Sequence, residues 1–211
     1  MLRDLPLARL HEVVVVDNGS TDATAAVADS FGKPVRVVQE PRRGYGQACL
    51  TGIAALEDCD IVVFLDADYS DHPEEITRLV RPILRGRAEF VVGSRMRGGA
   101  ERGALLPQAR FGNRLACFLM AAIWRARWTD LGPFRAITRD ALERLQMADT
   151  NFGWTVEMQV KAMQRGLRCT EVPVSYRRRV GVSKITGTIS GTFRAGHKIL
   201  YTIGRLALAR P

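Results

Sequence analysis

The chain has 211 residues, 46% hydrophobic and 25% charged, with 31 basic residues against 22 acidic for a formal net charge of +9. Those proportions exclude a disordered chain and suit one sizeable globular domain with its own core. Cys49, Cys59, Cys117 and Cys169 form no CxxC pair and no metal-ligand spacing, which excludes a disulfide framework or zinc module and reads as reduced thiols of a cytoplasmic protein. The longest apolar run, Leu115 to Trp124, is ten residues, short of the ~18 that a membrane span needs. The opening Met1 to Pro6 lacks the sustained apolar core of a signal peptide. Four of the basic residues are lysines and the rest arginines, whose planar forks suit phosphates. A GC-rich coding bias would raise arginine equally, so only clustered arginines carry weight.

In chain order, His11 to Val16 reads as a buried strand running into Asp17-Asn18-Gly19-Ser20-Thr21-Asp22. Ser20 or Thr21 is a good N-cap for an Ala-rich helix from Asp22 to Phe31, closed by Gly32 and Pro34. Val35 to Val38 is a second strand. The basic glycine turn Arg42-Arg43-Gly44-Tyr45-Gly46 then opens a helix from Gln47 to Leu56. Ile61 to Leu65 is a third strand, ending in Asp66-Ala67-Asp68. Pro73-Glu74-Glu75 starts a helix to Leu84, with proline in the first turn. A strand from Glu89 to Gly93 follows, then a Gly/Arg-rich loop from Met96 to Pro107 and a helix from Gln108 to Trp128. Phe134 to Ile137 reads as a strand, Asp140 to Leu145 and Thr155 to Gln164 as helices. Leu167 to Ser175 is a strand near a sheet edge, because Pro173 cannot donate to a ladder. A helical stretch from Ile185 to Ala209 closes the chain, with apolar residues at helix-like spacing among Arg194, His197, Lys198 and Arg205. That pattern fits a helix lying on an anionic membrane, or equally one packed on the domain or on a second copy. The β-α-β-α-β alternation predicts a doubly wound α/β fold.

Ligands of such folds sit at the carboxyl ends of the strands, and this sequence puts Asp17, the Arg42–Gly46 turn, Asp66 and Asp68 there. A carboxylate can accept from a ribose or base, a glycine turn can approach phosphate, and carboxylates at i and i+2 can hold a hard divalent cation. Together they spell a nucleoside diphosphate site with a metal. The same Asp pair alone would also make an ordinary Asp-rich turn.

Val14-Val15-Val16-Asp17-Asn18-Gly19-Ser20-Thr21-Asp22 closely resembles the first nucleotide-binding motif of family 2 glycosyltransferases, and Leu65-Asp66-Ala67-Asp68 resembles their DxD signature. Val92-Gly93-Ser94-Arg95, Gly132-Pro133-Phe134-Arg135 and Glu171-Val172-Pro173 through Gly181-Val182-Ser183-Lys184 resemble later blocks of the polyprenyl-phosphate, dolichyl-phosphate mannose synthase-like branch. The resemblance implies a GT-A fold, a doubly wound mixed and mostly parallel sheet with helices on both faces. It implies a transferase domain over residues 1–184, a C-terminal amphipathic segment over 185–211, and inverting transfer of a sugar from a UDP- or GDP-linked donor. Donor contacts would come from Asp17, Arg43, Gly44 and Asp66, with Asp68 binding Mg²⁺ or Mn²⁺ in a catalytic role. Arg95, Arg177, Arg179 and Lys184 fall where the branch holds its acceptor phosphate, with a solvated basic face as the plainer reading. The members of the Arg177–Arg179 run cannot all point one way. Glu157 matches an acidic position that would serve as a base for a hydroxyl acceptor, or would simply favour its helix N-terminus. The expected partners are a nucleotide sugar, a lipid-phosphate acceptor at the cytoplasmic membrane face and a second copy of the chain, with no nucleic acid. Two other readings stand beside this: a catalytically impaired transferase-like binding domain, and a nucleotidyltransferase, which would want a glycine-rich, Lys-ending loop after the first strand.

Two departures from the family pattern matter. Members begin with a strand and helix ahead of the Asp17 strand, and Met1 to Leu10 is long enough only for the tail of that helix. Tyr69-Ser70-Asp71-His72-Pro73 follows the Asp pair where the branch has Leu-Gln-His-Pro, so Ser70 or Asp71 would have to replace a glutamine ligand. The first departure predicts weak donor binding by these 211 residues. Calorimetric titration with UDP- and GDP-sugars should give affinities weaker than micromolar; a micromolar dissociation constant would contradict the expectation.

Overall fold

The computed structural model describes residues 1–181 and 189–209, and for 189, 190 and 192 the backbone alone. Lys184 and the start of the helix expected from Ile185 fall outside the described residues, as does the proposed boundary between 184 and 185.

Six strands among the described residues divide into two sheets. β1 (Val13–Asp17) pairs in parallel with β2 (Val35–Gln39), Val13 opposite Val35 and Asp17 opposite Gln39. The second sheet has the order β3-β5-β4-β6, built from β3 (Ile61–Phe64), β4 (Phe90–Ser94), β5 (Arg135–Thr138) and β6 (Cys169–Pro173). β5 runs antiparallel to both its neighbours, and β4 and β6 are parallel. β6 takes the edge, as Pro173 requires.

Every residue of β4 is buried, and its side chains alternate between two cores, as a period of two dictates. Phe90 and Val92 join Trp154, Met158 and Ile137 under α5 (Pro107–Trp124), α7 (Trp154–Gln164) and α8 (Ile189–Leu208). Val91 joins Leu79, Ile83, Phe134 and Ala136 under α3 (Ile76–Leu84). The remaining helices are α1 (Thr24–Asp29), α2 (Tyr45–Ala55), α4 (Arg95–Gly98) and α6 (Arg139–Leu145).

Three expectations are corrected. The helix predicted to run to Trp128 ends at Trp124, because Arg125 takes a left-handed conformation (φ 56°) and turns the chain back. Trp128 is thereby freed to pack edge-on against Phe90, with ring centroids 5.7 Å apart. The Gly/Arg-rich loop opens with the short helix α4, capped by the Ser94 hydroxyl, which accepts from Arg97 N at 3.2 Å. Met1–Leu10 forms two single 3-10 turns, Leu2–Asp4 and Leu7–Arg9, rather than the tail of a helix, and Pro6 lies between them.

Among the described residues β1 pairs only with β2, and β3 only with β5. Their Val13–Val16 and Ile61–Phe64 segments both line a cleft of about 1250 Å³, with Tyr45, Cys49 and Gly52 of α2 and the apolar Met1, Leu2 and Leu5 as further walls. The cleft reaches Asp66 and Ala67 just past the end of β3.

Candidate active site

β1 ends in Asp17, which is 8% exposed and accepts from Ser20 N at 2.9 Å. The Ser20 hydrogen bonds hold its carboxyl below the usual carboxylate range, so it stays ionised. Next to it, Asn18 reaches across to the following strand-to-helix turn. Its amide donates to Glu40 O (2.9 Å) and Arg42 O (2.7 Å), and its Oδ1 accepts from Gly44 N at 2.9 Å. Glu40 secures the same turn from below: it is 4% exposed and accepts from Thr51 Oγ1 (2.5 Å), Arg42 N (2.7 Å) and Gln47 Nε2 (2.9 Å). Those bonds, Thr51's foremost, pull its pKa down to about 2. Arg43 is left exposed at the tip.

The turn also rests on a distant loop. A Cβ on Gly46 would lie 2.0 Å from Asp149 O, and one on Gly44 would lie 2.3 Å from Thr150 O. Only glycine permits that approach, and Gln47 N then donates to Thr150 O at 2.8 Å. Glu157, 1% exposed, anchors this loop: its Oε2 accepts from Ala148 N (3.1 Å) and Asp149 N (2.8 Å), and Lys161 and Arg205 pair with Oε1 at 2.9 and 3.8 Å. Lys198 of α8 pairs with Asp149 at 2.9 Å. Glu157 is thus committed to two amides and two cations, and the base role is not carried forward. Its neighbourhood ties α8 and α7 to the loop on which Gly44 and Gly46 sit.

At the end of β3, Asp66 is half-buried, and burial, with Asp68 beside it, pushes its pKa up to about 6. The Tyr45 hydroxyl, at the start of α2, works against that rise. Asp68 accepts through Oδ1 from Ser70 N (2.9 Å) and Ser70 Oγ (2.5 Å), and through Oδ2 from Arg179. Tyr69 between them has φ 67°, a left-handed conformation that an aromatic residue adopts only under constraint. Asp71 is 1% exposed, and neither of its carboxylate oxygens has a hydrogen-bond partner. Burial, and then the nearby Asp66, push it up to about 8. Among the described residues no three carboxylate, imidazole or thiol side chains form a metal cage unaided. The donor set is the Asp66–Asp68 pair with Asp71 behind it, the kind that Mg²⁺ or Mn²⁺ completes with water and substrate phosphate.

The expected acceptor cations separate. Arg95 is bound on two edges to Asp130, Nε–Oδ2 at 2.9 Å and Nη2–Oδ1 at 2.7 Å, with Asp130 fully buried and the Tyr176 ring 5.0 Å beneath the guanidinium. Burial works against its charge, but Asp130 wins and holds the guanidinium above its ordinary pKa. Arg177 stacks on Tyr69, 3.3 Å from the ring centroid, and donates to Tyr69 O (2.6 Å) and Asp71 O (3.2 Å). Arg178 turns to the 101–102 loop, and Arg179 alone reaches the Asp pair. The structure therefore gathers Asp66, Asp68 and Arg179, arranges the Asn18-held turn around Asp17, and spends Arg177 on the loop between Asp68 and Asp71.

Asn18, Glu40, Tyr45 and the 148–151 loop were not singled out by sequence. Asn18 stood inside the Asp17 motif and Tyr45 inside the basic glycine turn, whereas nothing in the sequence marked Glu40 or the 148–151 loop. Glu40 yields a measurable consequence. Its folded pKa of about 2 lies below the ordinary 4.5, so its contribution to stability is full above pH 4.5 and is lost as the pH falls toward 2. The melting-temperature gap between the wild type and Glu40→Gln should be widest near neutrality and narrow over that interval. A gap constant down to pH 2 would contradict the hydrogen-bond network.

The family profile described as Glycosyl transferase family 2 matches residues 5–146. A glycosyltransferase of Mycobacterium tuberculosis strain H37Rv, carried as uncharacterized, is 36% identical over 187 residues, covering 88% of this chain and 83% of that protein. A dolichyl-phosphate hexose transferase of Haloferax volcanii is 34% identical over 178 residues, covering 82% and 73%. Glucosyl-3-phosphoglycerate synthase of Mycobacterium tuberculosis, solved with Mn²⁺, UDP-glucose and phosphoglyceric acid, superimposes with a TM-score of 0.72 at 24% identity, over 92% of this chain and 68% of that one. That likeness shows the GT-A fold. The chain belongs to glycosyl transferase family 2 and is a glycosyltransferase.

Proposed function

We propose that the protein transfers a hexose from a nucleoside diphosphate sugar to an acceptor that presents a phosphate, of the polyprenyl-phosphate kind. The observation that carries this is the Asp66–Asp68 pair at the end of β3 beside the Asn18-held glycine turn, with an arginine already lying on Asp68. The Haloferax volcanii relative, named a dolichyl-phosphate hexose transferase, supports the acceptor class.

In this reading ionised Asp17 accepts from the nucleoside, and Gly44 and exposed Arg43 approach the donor phosphates. Asp68, with Asp66, holds Mg²⁺ or Mn²⁺, which when bound offsets the charge of the departing diphosphate. Arg179 is the exchangeable partner of Asp68. Its side chain is 39% exposed, and ion pairs at such positions contribute only about 0–1 kcal/mol. Leaving Asp68 frees its guanidinium for the acceptor phosphate. Arg95 stays: breaking a buried pair such as Arg95–Asp130 costs about 3–5 kcal/mol, so it contributes positive field and its remaining N–H edge. Lys184 is kept as an acceptor cation on sequence grounds. With Glu157 committed elsewhere, an acceptor that arrives ionised is favoured, because it needs no base before it attacks the anomeric carbon.

Thermal-shift measurement with Mn²⁺ and a panel of millimolar nucleotide sugars tests the donor site. A sugar nucleotide at tenfold its dissociation constant stabilises by about 1.4 kcal/mol, a rise of about 3–6 °C for a chain of this size. One UDP- or GDP-sugar should give that rise, and Asp68→Ala should remove its metal-dependent part. An equal rise in Asp68→Ala would remove the metal role, and no rise with any sugar nucleotide would favour a binding domain.

A further inference from the structure

We propose that α5 and α8 together form a docking face for an anionic lipid surface. This goes beyond the transfer reaction and does not rest on the identity of its acceptor.

The two helices pack against each other. α8 is fixed by its inner side, where Thr202, Ile203 and Leu206 are buried. An ordinary surface helix would be polar on the opposite side. Here Phe193 is 75% exposed, Tyr201 56% and Leu208 87%. Their spacings of eight and seven residues place them along one stripe. α5 repeats the arrangement: Phe111 and Phe118, seven residues apart, are 70% and 68% exposed. These five large side chains are surplus to the core.

Charge identifies what covers them. No aspartate or glutamate occurs between residues 102 and 129 or between 172 and 211. Exposed Arg110 and Arg114 of α5 and Arg194 of α8 have no ion-pair partner among the described residues. The carboxylates that α8 does meet, Asp149 and Glu157, lie buried beneath it and engage Lys198 and Arg205 from the inside. The outer face is thus apolar and uniformly cationic. Aromatic side chains with flanking arginines suit the headgroup boundary of a bilayer, where cations near an anionic surface add to the attraction. A second copy would bring like charge against like, and aliphatic Leu208 offers nothing to stack on a base. Neither helix is long and apolar enough to cross the bilayer, so the helices lie on it.

Co-sedimentation of the 211-residue chain with vesicles tests this, comparing phosphatidylcholine alone with a mixture containing phosphatidylglycerol. Binding to the anionic vesicles should exceed binding to the neutral ones by about tenfold and fall severalfold at high salt. Phe118→Ser with Phe193→Ser, and separately Arg110→Gln with Arg114→Gln and Arg194→Gln, should each weaken it severalfold with unchanged melting temperature, since all five positions are exposed. A chain that stays in the supernatant with anionic vesicles overturns the proposal. So does equal binding by both variants, or a solution dimer that both variants dissolve, which would assign the face to a second copy.

Discussion

The carboxyl end of β3 carries three aspartates within six residues, Asp66, Asp68 and Asp71, and the burial of carboxylates at such close quarters is the constraint to which the surrounding structure answers. Asp71 is buried without a hydrogen bond to either oxygen, an arrangement that a fold tolerates only when the group is neutral or faces compensating charge. The compensation comes from several directions. Tyr45 reaches Asp66 from α2, Arg179 crosses from beyond β6 to Asp68, and Arg95 adds its field from the end of β4. Holding Arg179 in place brings the 176–180 segment across the loop. Arg177 then stacks on Tyr69 and Tyr176 bridges to Asp71, so the left-handed backbone at Tyr69 is locked from outside.

The ion pairs around this point are of two kinds, and magnitude separates them. Arg95–Asp130 is buried, bidentate and backed by an amide from Arg95 itself, so it behaves as part of the frame. Arg179–Asp68 lies toward solvent and contributes little net stability, so a ligand can displace it. A buried frame beside a cation that a ligand can displace suits a binding site for a charged diphosphate. The Glu157 cluster extends the frame to the glycine turn, because the loop it anchors supplies the carbonyls against which Gly44 and Gly46 are seated.

The strand ends were legible in the sequence because a buried β-branched run followed by Asp has few other readings. Asp17, Asp66 and Asp68 fall at the ends of β1 and β3, and the α/β class follows from the alternation of elements, whereas the mixed strand directions are what the family resemblance implied. What could not be read is whatever depends on partners distant in the chain. Glu40 looks like any surface acid until Thr51, Arg42 and Gln47 are seen to converge on it. Arg95, Arg177 and Arg179 are alike as residue types, and only their partners 35, 108 and 111 positions away assign one to the frame, one to a loop and one to the Asp pair. Glu157 illustrates the converse: its place near a helix start was visible, but not the cations that α8 brings to it. The division into two sheets was also hidden, since it turns on which strand edges go unpaired.

The exchange of Arg179 for a metal on Asp68 is the central claim, and manganese titration followed by electron paramagnetic resonance tests it without any turnover. With Mn²⁺ alone and no nucleotide, Arg179→Gln removes a competing cation and should bind the ion severalfold more tightly than the wild type, while Asp68→Ala should bind it least. Equal affinity in the wild type and Arg179→Gln, or undiminished affinity in Asp68→Ala, would show that Asp68 does not alternate between the guanidinium and the metal.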